Sequence, residues 1–134
     1  MRQIVGILIK RPSGELFVHQ RSAGKKIYAK LFGLGAGGAV EAGEEPIDAA
    51  KRELKEETNI NADPAFIMSF EFINEGVVYR VHWFEVVTSF EPQIAHDEWQ
   101  WMDWLSIEDV KTLRKDNKLC PDTAEFFDRY VVDL

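Results

Sequence analysis

Residues 37–60 read Gly37-Gly38-Ala39-Val40-Glu41-Ala42-Gly43-Glu44-Glu45-Pro46-Ile47-Asp48-Ala49-Ala50-Lys51-Arg52-Glu53-Leu54-Lys55-Glu56-Glu57-Thr58-Asn59-Ile60. Pro46 suits the first turn of a helix, and Ile47, Ala50 and Leu54 recur at helical spacing. At about 100° per residue those three fall on one stripe, and Glu53, Glu56 and Glu57 fall on the neighbouring one. Three carboxylates therefore share a helix face. Like charges three or four residues apart cost roughly 0.2–0.5 kcal/mol per pair on an isolated helix, and more beside a partly buried surface. Surface solvation beside Lys51, Arg52 and Lys55 is one way to offset that repulsion. A bound cation is the other, because hard divalent ions take carboxylate, carbonyl and water oxygens. The segment from Gly33 to Gly43, just ahead of the helix, holds five of the nine glycines and supplies accessible carbonyls.

Outward from this helix, strand and helix signals alternate. Ile4–Ile9 reads as a buried strand, Pro12-Ser13-Gly14 as a turn, and Leu16–Arg21 as a second strand returning beside the first in a hairpin. Phe66–Ile73 alternates with Phe66, Met68, Phe70 and Phe72 on one face, and Asn74-Glu75-Gly76 turns the chain into a long strand, Val77–Val87. That strand sets Val77, Tyr79, Val81 and Trp83 against Val78, Arg80, His82 and Phe84, one face buried and the other mixed. Trp99–Leu105 is a further short strand, and Ser106 with Asp109 three residues on forms a helix N-cap pattern. Pro121 opens a final helix in which Phe127, Tyr130 or Val131, and Leu134 face the core. Strands before, between and after helices predict a mixed sheet packed by helices.

The 134 residues are 46% hydrophobic, 12% aromatic and 29% charged, ordinary globular proportions that exclude fibrous and disordered classes. No repeat, low-complexity tract or linker interrupts them, so a single domain over residues 1–134 is expected. The net charge is −7, of which residues 41–57 supply −4, and such acidity disfavours duplex nucleic acid as a partner. The lone cysteine, Cys120, makes no internal disulfide, which points to a reducing compartment. Ile4–Ile9 is too short for a signal segment or a membrane span, and the expectation is a cytoplasmic protein with no membrane partner.

Taken whole, Gly38-x5-Glu44-x7-Arg52-Glu53-Leu54-x-Glu56-Glu57-x-Asn59-Ile60 resembles the Nudix box, Gly-x5-Glu-x7-Arg-Glu-U-x-Glu-Glu-x-Gly-U with U apolar. The match spans 23 residues, 38–60, and departs at one fixed position, Asn59 for Gly. Asn is the next most tolerant residue for a left-handed helix exit. The chain is thus similar to Nudix (MutT-like) hydrolases, and the resemblance implies an α/β/α sandwich around a central mixed β-sheet. It further implies that Glu53, Glu56 and Glu57 bind Mg²⁺ or Mn²⁺, with the Gly38 carbonyl as a further ligand, while Arg52 orients the carboxylates. Glu44 takes a structural and electrostatic role beside the helix start and Arg52. The implied reaction is metal-dependent hydrolysis of a diphosphate linkage in a nucleoside diphosphate joined to another group, with Glu53 or Glu57 first as base.

Members often draw a fourth acid from a loop before a late strand. Glu98, just ahead of Trp99-Gln100-Trp101-Met102, stands in that place, with Asp97 as its competitor. His96 beside them is expected to face solvent. Arg21, Lys25 and Lys26 form a short basic stretch suited to terminal phosphates, or simply a solvated loop. Phe32, Tyr79, Trp83, Trp99 and Trp101 are expected mainly in the core. Gln20-Arg21-Ser22, Lys25-Lys26 and Gly37-Gly38-Ala39-Val40 also resemble the branch nearest isopentenyl-diphosphate isomerases. Those enzymes use a cysteine just ahead of the box, where this chain has Leu34-Gly35-Ala36 and no cysteine before Cys120. A catalytically silent nucleotide sensor on the same fold would show broken box acids, whereas Glu44, Arg52, Glu53, Glu56 and Glu57 are all present. Cys120 is read as a packing or surface residue, and the resemblance implies a homodimer.

Overall fold

The computed structural model describes residues 1–132. Seven strands form one sheet: β1 (Arg2–Lys10), β2 (Leu16–Arg21), β3 (Phe32–Leu34), β4 (Ala36–Ala39), β5 (Ala65–Asn74), β6 (Val77–Val87) and β7 (Trp99–Leu105). Among the described residues three helices accompany it: α1 (Pro46–Thr58), α2 (Ile107–Lys115) and α3 (Pro121–Val132). The sheet runs β3-β2-β1-β6-β5, with β4 on β1 and β7 on β2. β1 pairs with β6 in parallel and the other pairings between these strands are antiparallel, so the sheet is mixed as expected. None of the described helices is long and apolar enough to cross a membrane.

β1 is the strand on which both faces meet. Val5, Ile7 and Ile9 point toward α1, where Ala49, Ala50 and Leu54 close a core with Phe17, Phe84 and Val86. Leu8 points the other way, into a second core with Val18, Val81, Trp83, Val110, Phe126 and Phe127. The period of two along one strand thus places a helix on each face, which is the α/β/α sandwich. Phe127 and Tyr130 are buried as expected, joined by Phe126, while Leu134 lies outside the described residues.

The sheet departs from the sequence reading in three places. β1 and β2 make a hairpin only at its base, Lys10 opposite Leu16, because β2 swings away to pair with β3 and β7. Beyond that point β1 pairs with β4 instead, from Ile4–Ala39 to Ile7–Ala36, so the sheet forks. The glycine-rich stretch forms two short strands not foreseen from the sequence, joined by Gly35 at φ +61°. Finally, a bulge between Phe66 and Met68 breaks the alternation of β5. Phe66 is turned out to 61% exposure, edge-on to Phe84 of the α1 face, while Met68, Phe70 and Phe72 pack in the opposite core. The Glu75-Gly76 turn between β5 and β6, both residues at positive φ, is where it was expected.

Gly35 is the hinge of the fork, since a Cβ there would lie 1.7 Å from the Ile7 carbonyl oxygen. Gly14 also has positive φ, +99°, but has open space around it. Gly35→Ala should therefore cost more than about 3 kcal/mol in urea melts and Gly14→Ala only about 1–2 kcal/mol, the strain of the left-handed region alone. Equal losses would show that the close approach at Gly35 is not limiting.

Candidate active site

α1 begins at Pro46 in its first turn and ends at Asn59, whose φ of +61° lets its N–H reach the Lys55 carbonyl. Asn thus serves where the box has Gly. The helix buries Ala49, Ala50 and Leu54 and so turns Glu53 and Glu57 toward β4. Glu57 accepts the Gly37 N–H at 2.9 Å. Glu53 lies directly under Gly38, where a Cβ would come within 2.4 Å of the carboxylate. A side chain at this position would push the Glu53 carboxylate away from Arg52.

Arg52 organises the acids through all five of its donors. Nε and Nη2 grip Glu44 at 2.9 and 3.0 Å, and Nη2 also reaches the Ala39 carbonyl at 2.9 Å. Nη1 serves Glu53 at 2.8 Å and Glu56 at 3.3 Å. The fork thereby ties the loop ahead of α1, strand β4 and the helix into one unit. Its hydrogen bonds raise the Arg52 pKa, Glu44 foremost, and hold the Glu44 carboxyl below its ordinary value.

Burial acts on the other acids in the opposite sense. Glu57 is pushed up to about 8, chiefly by burial, with the Gly37 N–H opposing and Glu53 adding to the rise. Glu53 is raised by burial against the pull of Arg52. Each carboxylate opposes ionisation of the other, a repulsion that a proton or a cation beside them relieves. Glu56 stands apart, its side chain 57% exposed against 15% for Glu53. Among the described residues no three acidic, histidine or cysteine side chains converge on one point. Two desolvated carboxylates under a glycine strand nonetheless offer the oxygen donors that a hard divalent ion takes, so the residues fit Mg²⁺ or Mn²⁺.

These acids line one end of a cleft of about 470 Å³ that passes through the fork of the sheet. Arg21, Lys25 and Glu98 line it too, whereas Lys26 and Asp97 do not. Lys25 pairs with Glu98 at 3.1 Å, and that hydrogen bond holds the Glu98 carboxyl below its ordinary value. Asp97 contributes its backbone carbonyl, which accepts from the Ser22 hydroxyl. His96 is half-buried, contrary to expectation, and sits edge-on against Trp99. It spans the Glu57 carbonyl and the Glu98 N–H, both at 3.3 Å, and so ties the end of α1 to the acid before β7.

His19, Tyr28, Asn74, Cys120 and Asp122 also line the cleft and were not singled out from the sequence for binding or catalysis. Nothing local marks them; each is brought there by pairings far along the chain. Burial holds the His19 imidazole neutral, down to about 3, with its Nδ1–H donated to the Gly35 carbonyl and its ring stacked on Trp99. Burial pushes the Cys120 thiol up to about 12, which keeps it protonated and unreactive. Of the five aromatics, Trp83 and Trp99 are buried, and Trp101 is 37% exposed.

The chain matches the NUDIX domain family over residues 1–130. An uncharacterised Nudix hydrolase of Streptomyces coelicolor is 31% identical over 100 residues, covering 71% of this chain and 55% of that protein. Matches of this chain span 32% to 63% of the length of the curated relatives. Its fold is similar to that of a MutT protein from Methanosarcina mazei, with a TM-score of 0.84 at 22% identity, covering 98% and 94% of the two chains. It is also similar to the NUDIX domain of Shewanella oneidensis NrtR complexed with ADP ribose, with a TM-score of 0.76 at 16% identity, covering 98% and 86%.

A carboxyl raised from 4.5 to about 8 makes the folded state bind a proton that the unfolded chain releases. Its stabilising contribution is full below pH 4.5 and is lost as pH rises toward 8. Without divalent metal, the stability difference between the wild type and Glu57→Gln should therefore fall steadily from pH 5 to pH 8.5 in denaturant melts. Added Mn²⁺ should restore the wild type selectively at the alkaline end. A difference that is flat with pH would contradict the buried-pair account.

Proposed function

The chain belongs to the NUDIX domain family, and we propose that it is a divalent-metal-dependent hydrolase of a diphosphate linkage, acting on a nucleoside diphosphate joined to another group. The observation that carries this is the pair of desolvated carboxylates, Glu53 and Glu57, packed under Gly37 and Gly38 at one end of a cleft that also presents Arg21 and Lys25. When bound, Mg²⁺ or Mn²⁺ would neutralise diphosphate charge and acidify water. Glu53 and Glu57 would hold it, with Glu56 at the rim and the Gly38 carbonyl as a further oxygen.

The chain's own residues then divide the work. Arg52 keeps Glu53 in place while its other donors remain engaged with Glu44 and Ala39. Lys25 and Arg21 orient the phosphates through charge, and as Lys25 turns to phosphate it releases Glu98 from their ion pair. The proton of the attacking water goes to a carboxylate at this end of the cleft, Glu53, Glu57 or the freed Glu98. Lys26, exposed and outside the cleft lining, adds only to the field at its mouth. The intact set of Glu44, Arg52, Glu53, Glu56 and Glu57 favours hydrolysis over a silent nucleotide sensor. ADP-ribose, bound by the Shewanella domain, is a natural first substrate to try.

Phosphate or pyrophosphate release should be followed with and without Mg²⁺ or Mn²⁺ over nucleoside di- and triphosphates, dinucleoside polyphosphates, nucleotide sugars and dinucleotide cofactors. Glu57→Gln should reduce kcat by at least about a hundredfold with an unchanged far-ultraviolet spectrum. Glu98→Gln should slow turnover by about ten- to a hundredfold, and Lys25→Gln should raise KM more than it lowers kcat. Full metal-dependent activity in Glu57→Gln would overturn the assignment.

A further inference from the structure

β5 closes one end of the sheet path, and its outer side is bare. It pairs with β6, and among the described residues no other backbone hydrogen bond reaches Ala65–Asn74. The opposite end of the path is covered. There the Phe32 N–H donates to the Lys118 carbonyl at 2.8 Å and the Cys120 N–H to the Phe32 carbonyl at 2.9 Å, so the chain before α3 lies along β3. Folded proteins commonly blunt an open edge with a short strand, a lysine, a proline or a bulge. β5 runs ten residues without proline, lysine or arginine, and its one acid, Glu71, stands opposite Arg80 of β6.

The bulge between Phe66 and Met68 is present, and it has a second effect. Phe66 and Ile73, exposed at 61% and 68%, are an odd number of residues apart and would fall on opposite faces of a regular strand. The bulge brings them to one face. Phe66 stands opposite Phe84 and Ile73 opposite Val78, and those two share a face of β6, whose register with β1 is unbroken. Phe70 stands opposite Val81, midway between, so Phe66 and Ile73 lie three rungs to either side of it. The ends of the strand, Ala65 opposite Glu85 and Asn74 opposite Val77, lie four rungs to either side. The ladder is thus symmetric about Phe70 over the whole length of β5.

We propose that two copies of this chain join edge to edge through β5, antiparallel about a two-fold axis at Phe70, into one continuous sheet. Identical antiparallel strands set each residue opposite the one equally far beyond the axis, with both side chains on the same face. Phe66 of one protomer therefore meets Ile73 of its partner, and the same contact recurs on the other side of the axis. Glu71 meets Ser69, so no like charges are opposed in a chain whose net charge is −7. The pairing adds roughly one backbone hydrogen bond per rung and covers four exposed apolar side chains. A second copy is the occupant because the register is self-complementary, a property that an unrelated extended peptide would not require.

The test is analytical ultracentrifugation of the intact protein over about a hundredfold range of concentration centred in the micromolar. The mass should rise with concentration to that of two chains. Phe66→Lys and Ile73→Glu, both at exposed positions, should each weaken the dimer at least about tenfold, since either change sets a charge against an apolar side chain twice over. The two changes in one chain should recover most of that loss, because they place opposite charges across the axis at both contacts. Far-ultraviolet spectra should be unchanged throughout. A monomer at every concentration would overturn the proposal. A dimer indifferent to both single changes would place the interface elsewhere, and single losses that the double variant fails to recover would overturn the register.

Discussion

Burying a carboxylate is costly, and α1 buries two side by side. Glu53 and Glu57 lie one turn apart beneath β4, Glu53 close under Gly38 and Glu57 on the Gly37 N–H. The surrounding structure compensates Glu57 with the Gly37 N–H and Glu53 with a guanidinium whose five donors are all engaged. Because Arg52 is also held by Glu44 and Ala39, it cannot follow a carboxylate that moves. Glu53 is thus fixed by a partner that is itself fixed, and Glu57 by a backbone N–H of β4, an arrangement that holds the charged site in one geometry.

The sheet serves this site through its fork. β1 gives up its hairpin partner after one residue pair and takes β4 instead, which carries the glycines to α1 and opens a passage between β4 and β2. That passage joins the two faces of the sandwich. Acids from α1 meet it on one side, aromatic residues of β6 and the first turn of α3 on the other. The loop before β7 completes it, since Gln93 and His96 hydrogen-bond carbonyls at the end of α1 and so locate Glu98 relative to Glu57.

What could be read from the residues in advance was what is local. Pro46, the Ala50 and Leu54 stripe and Asn59 mark α1 within a span of 14 residues, 46–59, and the acids follow from its periodicity. β2, β6 and β7 run over the same residues as expected, because their turns and alternation are written beside them. Features that depend on distant partners were not legible. The bulge in β5 depends on pairing with β6, and the short strands β3 and β4 lack side chains to show a period. His96 has the local sequence of a solvent-facing loop residue, and only its contact with the Glu57 carbonyl, 39 residues away, draws it inward. Asp122 carries no local signal that separates it from any acid at the start of a helix.

The pairing of β1 with β6 also bears on how the chain folds. Every partner in that pair is 77 residues away, from Arg2 with Tyr79 to Lys10 with Val87. Closing a loop of that length costs about 4 kcal/mol of chain entropy before the pair returns anything. The β5–β6 hairpin, turned at Glu75-Gly76, closes over a few residues and forms first. During synthesis β1, with five consecutive residues destined for the core, therefore emerges well before β6 and waits for that partner. Its exposed backbone in that interval is the point at which the nascent protein is most open to wrong pairings.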